Sequence, residues 1–448
     1  MYDNIFLINS SNKINQIHFP LGLSVIANSL KLHGIKSNII DLIPIPMEDR
    51  ESKLKEKLHS GPSIFGFGII AGNKQIVIVE KYSKIIKEIN QKHIIIYGGP
   101  LPTAVPDLLI KNCLCDYILS GEVEFTLPQL IVSLRKGIIH PDKIPGLYYK
   151  KKNSIYGIPP KRIKMLGIHS MPYYEKFDIR YYVSYLQETG QSFEIMTSRG
   201  CRGQCTFCYK FIGHGISIRN LDDILDEIDF IMKNYNIDRF YIVDENFTEI
   251  KTRYIEFINK KKMRNLKFTF IIQSRLDTID EEICKVGAEN GLKGISTGIE
   301  AVSQNILIEI RKNTTIDMIK NKLNLMKKYK IEVTANFVIG FPGETKEYYE
   351  DLICFIKENN LSKRVKLSYL TPLPGSYIYQ KSVEDKIIVD EYEYIKKLGD
   401  LYWEQLVNFT QLSNDELDYY YSKINLIGQR EVVYPKSNVF LNQIRAIH

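Results

Sequence analysis

The sequence predicts an α/β protein in three parts: a doubly wound parallel sheet, then a partial barrel of six βα units, then a helical C-terminal region. Three observations lead there. Short apolar runs alternate with helix-length amphipathic stretches over residues 4–149. The alternation resumes over residues 193–370, after a connector broken by prolines. From about residue 376 the chain turns helical and rich in tyrosine and charge. Strands that alternate with single helices build parallel sheets with right-handed crossovers.

In the first part, the apolar runs 5–8, 37–42, 64–69, 93–97 and 116–119 read as strands. The stretches 21–32 and 75–89, apolar at i, i+3 and i+4, read as helices. Several strands end in small residues: Gly68, Gly98-Gly99-Pro100 and Ser120-Gly121-Glu122. Ligands of such sheets lie beyond the strand carboxyl ends, where small residues let them approach the backbone. The same glycines also suit tight turns. Pro141, Pro145, Pro159, Pro160 and Pro172 mark residues 141–190 as a linker between a domain at 1–140 and a barrel at 191–376.

The barrel strands are expected at 193–197, 239–244, 267–273, 294–299, 332–339 and 365–370, with helices such as 222–233 and 316–329 between them. Six units fall short of a full eight because residues 377–448 change character. That region holds Tyr392, Tyr394, Tyr402, the single Trp403 and Tyr419 to Tyr421. It reads as a packed cap, or alternatively as a cover over the barrel mouth that helps to select a substrate.

Composition narrows the function classes. Apolar residues at 44% and charged residues at 25% are a globular mixture, and 448 residues bury a sizeable core without staples. The first residues carry no basic stretch of a secretory signal, and no run nears the ~18 apolar residues of a membrane span. Seven cysteines, an odd and sparse set, point to a reducing cytoplasm. The net charge of +8 is spread over 60 basic and 52 acidic residues, which reads as solvated surface rather than a nucleic-acid face.

The strongest chemical signal is Ser198-Arg-Gly-Cys201-Arg-Gly-Gln-Cys205-Thr-Phe-Cys208-Tyr209. Three cysteines fall within eight residues, directly after a strand, with Gly200 and Gly203 to let the backbone fold around one inorganic centre. Three thiolates suit a four-iron, four-sulfur cluster that keeps one iron free of protein. Cys201, Cys205, Cys208 and His214 also compose a closed Cys₃His zinc set. Position favours the reactive centre, because catalytic loops gather at the strand ends of such barrels. Cys113, Cys115, Cys284 and Cys354 read as small core fillers, with a hydrogen-atom donor as the alternative for Cys354.

Residues 190–376 resemble the radical S-adenosylmethionine (radical SAM) superfamily. The resemblance rests on the CxxxCxxC run with Phe207 before the last cysteine. Downstream follow Arg219, Asp244-Glu245-Asn-Phe247, Gln273-Ser-Arg275-Leu-Asp277, Gly298-Ile-Glu300, Ile339-Gly-Phe-Pro-Gly-Glu-Thr345 and Thr371-Pro-Leu-Pro-Gly375. It implies a [4Fe–4S] cluster on Cys201, Cys205 and Cys208, whose free iron chelates S-adenosylmethionine (SAM). An electron, delivered by an external donor of the flavodoxin or ferredoxin type, then yields a deoxyadenosyl radical. Asp244 and Glu245 stand where many members receive the SAM amino group, although the usual glycines are missing. Arg275 becomes the candidate partner of the SAM carboxylate, Glu300 that of the ribose, and Ile339 with Gly340 that of adenine.

Residues 1–150 resemble the cobalamin-binding, Rossmann-like domain that precedes the barrel in one class of these enzymes. The matching pieces are Phe19-Pro-Leu-Gly-Leu23, Gly34 and Asp41, Tyr97-Gly-Gly-Pro100, Ser120-Gly-Glu-Val-Glu124 and Gly146-Leu-Tyr148. Gly98, Gly99, Gly121 and Glu122 are the expected cobalamin contacts. The Asp-x-His-x-x-Gly motif is absent; Gln16-Ile-His18-Phe-Pro-Leu-Gly22 stands nearby, and His18 is not expected on cobalt. The resemblance implies a cobalamin-dependent methyltransferase acting on an unactivated carbon of a natural product, peptide or other small substrate. The alternatives are a non-methylating radical enzyme (rearrangement, cyclisation or epimerisation) and a zinc-stabilised binding module without turnover.

Overall fold

The computed structural model describes residues 2, 4–10, 17–58, 61–152, 154–210, 212–213, 215–361, 364–399 and 404–428. The first sheet comprises β1 (Asn4–Asn9), β2 (Asn38–Asp41), β3 (Ser63–Gly68), β4 (Ile94–Gly98), β5 (Tyr117–Leu119), β6 (Leu147–Lys151) and β7 (Ser154–Gly157). Their order is β2-β1-β3-β4-β5-β6-β7. The first five run parallel and the last two antiparallel. Because helices cover both faces, the inner strands β1, β3 and β4 are largely apolar, and alternate residues enter opposite cores. Ile5 and Leu7 join Ile64, Ile96 and Leu119 on one face. Phe6 and Ile8 join Phe65, Phe67 and Ile118 on the other. The strand order reverses between β1 and β3, the switch point beyond which such sheets bind ligands.

The segment expected to be a plain linker contributes the β6–β7 hairpin to this sheet. Its prolines flank the hairpin rather than interrupt it: Pro145 lies before β6, and Pro159 and Pro160 lie after β7. Proline is tolerated there because no ladder hydrogen bond is lost. Next come β8 (Met165–Leu166), β9 (Phe193–Ile195), β10 (Ser198–Arg199) and β11 (Ser217–Arg219). β8, β10 and β11 form a small sheet of their own, which the sequence did not suggest.

β9 begins the barrel, followed by β12 (Arg239–Ile242), β13 (Thr269–Gln273), β14 (Leu292–Glu300), β15 (Glu332–Ile339) and β16 (Val365–Tyr369). All six are parallel and adjacent in chain order. The expected first strand, 193–197, stops at Ile195 because the chain turns there into β10. Asp244 holds that turn, accepting the Thr197 amide at 2.6 Å together with the Thr197 and Ser198 hydroxyls.

The C-terminal region packs on the rest of the chain in two places. Helix Glu391–Lys397 seals the first domain. Ile395 and Leu398, each 1% exposed, complete that domain's core, and the Asn73 and Lys74 amides donate to the Gly399 and Leu398 carbonyls at 2.6 and 2.8 Å. The Tyr392 hydroxyl donates to Glu80, and that of Tyr394 to the Pro372 carbonyl. Helix Asn414–Gly428 covers the open edge of the barrel at β16, as an unpaired edge strand requires. Tyr420 stacks on Tyr349 at 4.7 Å and Tyr421 on Tyr369 at 4.3 Å. Tyr402 and Trp403 lie outside the described residues. No helix among the described residues is long and apolar enough to cross a membrane.

Candidate active site

The cysteine loop leaves the barrel after β10 and returns in β11. Cys201 is half-buried, Cys205 buried and Cys208 exposed. The Gly203 amide donates to the Cys201 sulfur at 3.3 Å. Burial, followed by the proximity of Cys205 and Cys201, pushes the Cys208 thiol up to about 12. Burial together with mutual repulsion makes three neighbouring thiolates unfavourable unless a polycation neutralises them, so the donor set fits an iron–sulfur cluster. Among the described residues, no three His, Cys, Asp or Glu side chains converge tightly enough for a single ion. The remaining member of the zinc alternative, His214, lies outside the described residues.

A positively charged wall stands behind Cys205. Arg275 Nη1 donates to its sulfur at 3.2 Å. The rest of the guanidinium is also engaged, Nε and Nη2 with Asp277 at 2.9 and 2.8 Å and Nη2 with the Lys312 carbonyl at 2.6 Å. Arg275 is therefore held among Cys205, Asp277 and the Lys312 carbonyl. Lys312, a residue the sequence reading passed over, pairs with Glu300 at 2.7 Å with both side chains under 10% exposed. Burial lowers its pKa, but Glu300 and then Cys205 outweigh that and hold it raised. Glu300 adopts φ 69° beside the register shift between β14 and β15, a strained placement for a residue with a side chain. The Ser274 and Thr297 hydroxyls, just beyond β13 and on β14, are buried without a hydrogen-bond partner among the described residues.

Asp244 and Glu245 separate in role. Asp244 is 1% exposed and accepts from Thr197 and Ser198, so it frames the first strand end. Glu245 is exposed, accepts the Gly200 amide at 2.9 Å, and is raised in pKa chiefly by desolvation. Ile339 ends β15 fully buried. The Gly340 amide donates to Glu344 Oε2 at 2.6 Å. Glu344 is 1% exposed, also accepts the Tyr349 hydroxyl, and is pushed up to about 8 by burial.

At the carboxyl edge of the first sheet, Gly98 ends β4, and Gly99 packs so closely on β3 that an added Cβ would lie 2.9 Å from the Ile69 nitrogen. The Ser10 and Ser120 hydroxyls, just past β1 and β5, are buried without a partner among the described residues. Orphaned buried hydroxyls at a ligand-binding edge fit a polar ligand. Gly121 lies against Pro160 of the connector and donates its amide to the Thr103 hydroxyl, whereas Glu122 points toward Arg199. Glu122 Oε2 accepts the Ile163 amide at 2.8 Å, and Arg199 Nη1 lies 3.3 Å from Glu122 and 2.6 Å from Glu124. Arg199 precedes Cys201 by two residues, so this buried cluster ties the two sheets together beside the loop. His18 Nδ1 lies 2.8 Å from Glu194 of β9. Cys113, Cys115 and Cys284 are buried as expected, whereas Cys354 is exposed on the outer helix Lys346–Glu358 and is a surface thiol.

Comparisons with known proteins agree with this architecture. Residues 195–356 match the Radical SAM superfamily and residues 11–131 the B12 binding domain. An uncharacterized methyltransferase of Pyrococcus horikoshii is 28% identical over 375 residues, covering 83% of this chain and 80% of its own. An anaerobic magnesium-protoporphyrin IX monomethyl ester cyclase of Rubrivivax gelatinosus is 26% identical, with 84% and 68% covered. The radical S-adenosylmethionine methyltransferase TsrM from Kitasatospora setae, solved with cobalamin and a [4Fe-4S] cluster, shares the fold at a TM-score of 0.74 and 16% identity, with 86% and 78% covered. With both domain types present in this order and folded together, the chain belongs to the cobalamin-binding radical SAM enzyme family.

Proposed function

We propose that this chain is a cobalamin-dependent methyltransferase that adds a methyl group to an unactivated carbon of a small substrate, a natural product or a peptide. The observation that carries the reading is that the cysteine loop, at the mouth of the barrel, abuts the cobalamin-type sheet through Arg199, Glu122 and Glu124. Two cofactor sites so placed can serve one enclosed pocket, which is how proximity lowers a barrier. When bound, the cluster and SAM supply a hydrogen-abstracting radical and cobalamin supplies the methyl group. Cys201, Cys205 and Cys208 hold the cluster, and Arg275 orients Cys205. Glu245, Glu300 and Lys312 present charge to the polar parts of SAM, and Ile339 with Gly340 shapes its adenine end. Gly98, Gly99, Ser10 and Ser120 border cobalamin; Asp244, Gly121 and Glu122 hold the frame.

An external flavodoxin- or ferredoxin-type donor supplies the electron, and neither a membrane nor a nucleic acid is a partner. All seven cysteines are free, which supports a reducing, cytoplasmic setting. The cyclase relative favours one second reading, a radical outcome without methylation. Anaerobic turnover with SAM labelled at its methyl group separates the two: label in the product supports transfer, whereas deoxyadenosine with no label transferred refutes it. Cys201→Ala, Cys205→Ala and Cys208→Ala should each lower bound iron and abolish deoxyadenosine formation. Activity retained in all three refutes the cluster assignment.

A further inference from the structure

The segment from Pro160 to Leu166 runs between the two sheets and is held by both. On the first-domain side, the Ile163 amide donates to Glu122, and a Cβ at Gly121 would lie 2.5 Å from the Pro160 Cβ. On the barrel side, β8 pairs in parallel with β11, and the Ile218 amide donates to the Lys164 carbonyl at 3.1 Å. From the middle of this strap Arg162 reaches into the cysteine loop. Its Nη2 donates to the carbonyls of Arg199 at 3.0 Å and Gly215 at 2.7 Å. Its Nη1 donates to those of Ile212 at 3.1 Å and Gly213 at 3.4 Å. Its Nε donates to the Ser217 hydroxyl at 3.1 Å.

These acceptors bracket the cysteines, since Arg199 precedes Cys201 and the others follow Cys208. A rigid planar fork can engage several carbonyls at once, which a lysine ammonium on a flexible stem does not reproduce. The backbone closes tightly on it: Gly200 has φ +91°, and a Cβ there would lie 2.4 Å from the Gly215 carbonyl and 2.5 Å from Arg162 Nη2. Holding both ends of a loop removes most of the closure entropy that its ligands would otherwise have to overcome.

We propose that Arg162 is a positioning residue for the cluster: it pins the two ends of the cysteine loop together and, through the strap, fixes that loop against the first domain. The proposal rests on the reading that the three cysteines hold a [4Fe–4S] cluster. The test uses the full chain, purified anaerobically with cobalamin, as parent, Arg162→Met and Arg162→Lys. Bound iron is measured first, then the rate of visible bleaching under an iron chelator. Arg162→Met should bleach about tenfold faster than the parent and Arg162→Lys at an intermediate rate, with bound cobalamin unchanged. An iron-loaded parent whose bleaching rate Arg162→Met leaves within twofold overturns the proposal alone. A parent that holds no iron overturns the cluster reading and the proposal with it. If Arg162→Met does not fold, Arg162→Lys decides: a rate at least threefold above the parent supports the proposal, and any smaller change overturns it.

Discussion

Replacing Glu344 by glutamine should flatten a pH dependence of stability that the parent chain displays between pH 4.5 and 8. The carboxyl is almost fully buried, with Oε2 receiving the Gly340 amide and the Tyr349 hydroxyl and Oε1 receiving nothing. Burial raises its pKa from 4.5 to about 8. An acid whose folded-state pKa lies above its unfolded value takes up a proton on folding. Its effect is therefore absent below about pH 4.5, grows as pH rises to about 8, and is constant above that. At ~1.4 kcal/mol per pH unit, the ceiling is on the order of 5 kcal/mol, of which about 3 kcal/mol falls between pH 6 and 8. A unit the size of the barrel shifts by roughly 2–4 °C per kcal/mol, so the parent should lose roughly 5–10 °C of melting temperature over that interval beyond what Glu344→Gln loses. Any cost of placing an amide there is independent of pH and moves the curve without tilting it. Melting curves of both proteins in matched buffers provide the assay. Parallel profiles, agreeing within about 1 °C in slope across the interval, refute the assignment of a neutral carboxyl at this position.

Two further outcomes follow from buried charge. Arg275→Met removes the N–H that meets the Cys205 sulfur. A charge-assisted hydrogen bond of roughly 1.5–3 kcal/mol, at ~59 mV per tenfold change for one electron, places the cluster's midpoint potential roughly 60–130 mV lower, read by an EPR-monitored titration; an unmoved potential rejects the contact. Arg219→Met leaves Glu227, 0% exposed, without the guanidinium that now pairs with it. Breaking a buried pair from one side costs about 3–5 kcal/mol, measured by urea unfolding of the barrel, and a loss under 1 kcal/mol contradicts it.

The six barrel strands and the five parallel strands of the first sheet were legible because burial on both faces writes continuous apolar runs into the chain. The cysteine loop was legible because its chemistry is local. What escaped has a common physical cause, that its meaning depends on partners far away in sequence. Lys312 sits in Arg-Lys-Asn and looks like ordinary surface charge; only the β14 turn that carries Glu300 makes it an interior ion pair. Arg162 looks like one more basic residue in a proline-rich connector, yet its acceptors lie 37 to 55 residues downstream. The expected ligand roles of Asp244 and Arg275 were drawn from motif position, and the hydrogen bonds that hold these side chains to Thr197 and Cys205 were not legible. Cys354 reads as a core filler because free cysteine packs as a small hydrophobe, but it falls on the solvent face between Ile353 and Phe355, which are both buried.

The seat that Ile395 and Leu398 occupy in the first domain bears on how this protein is made. The first sheet keeps an oily hollow until helix Glu391–Lys397 arrives, after the six barrel strands have been synthesised. Helix Glu391–Lys397 and the first sheet therefore meet only after the barrel strands between them have been made. The cobalamin half matures together with its neighbour and not ahead of it. A polypeptide stopped short of Glu391 would carry that hollow open to water, as a patch prone to sticking to other chains.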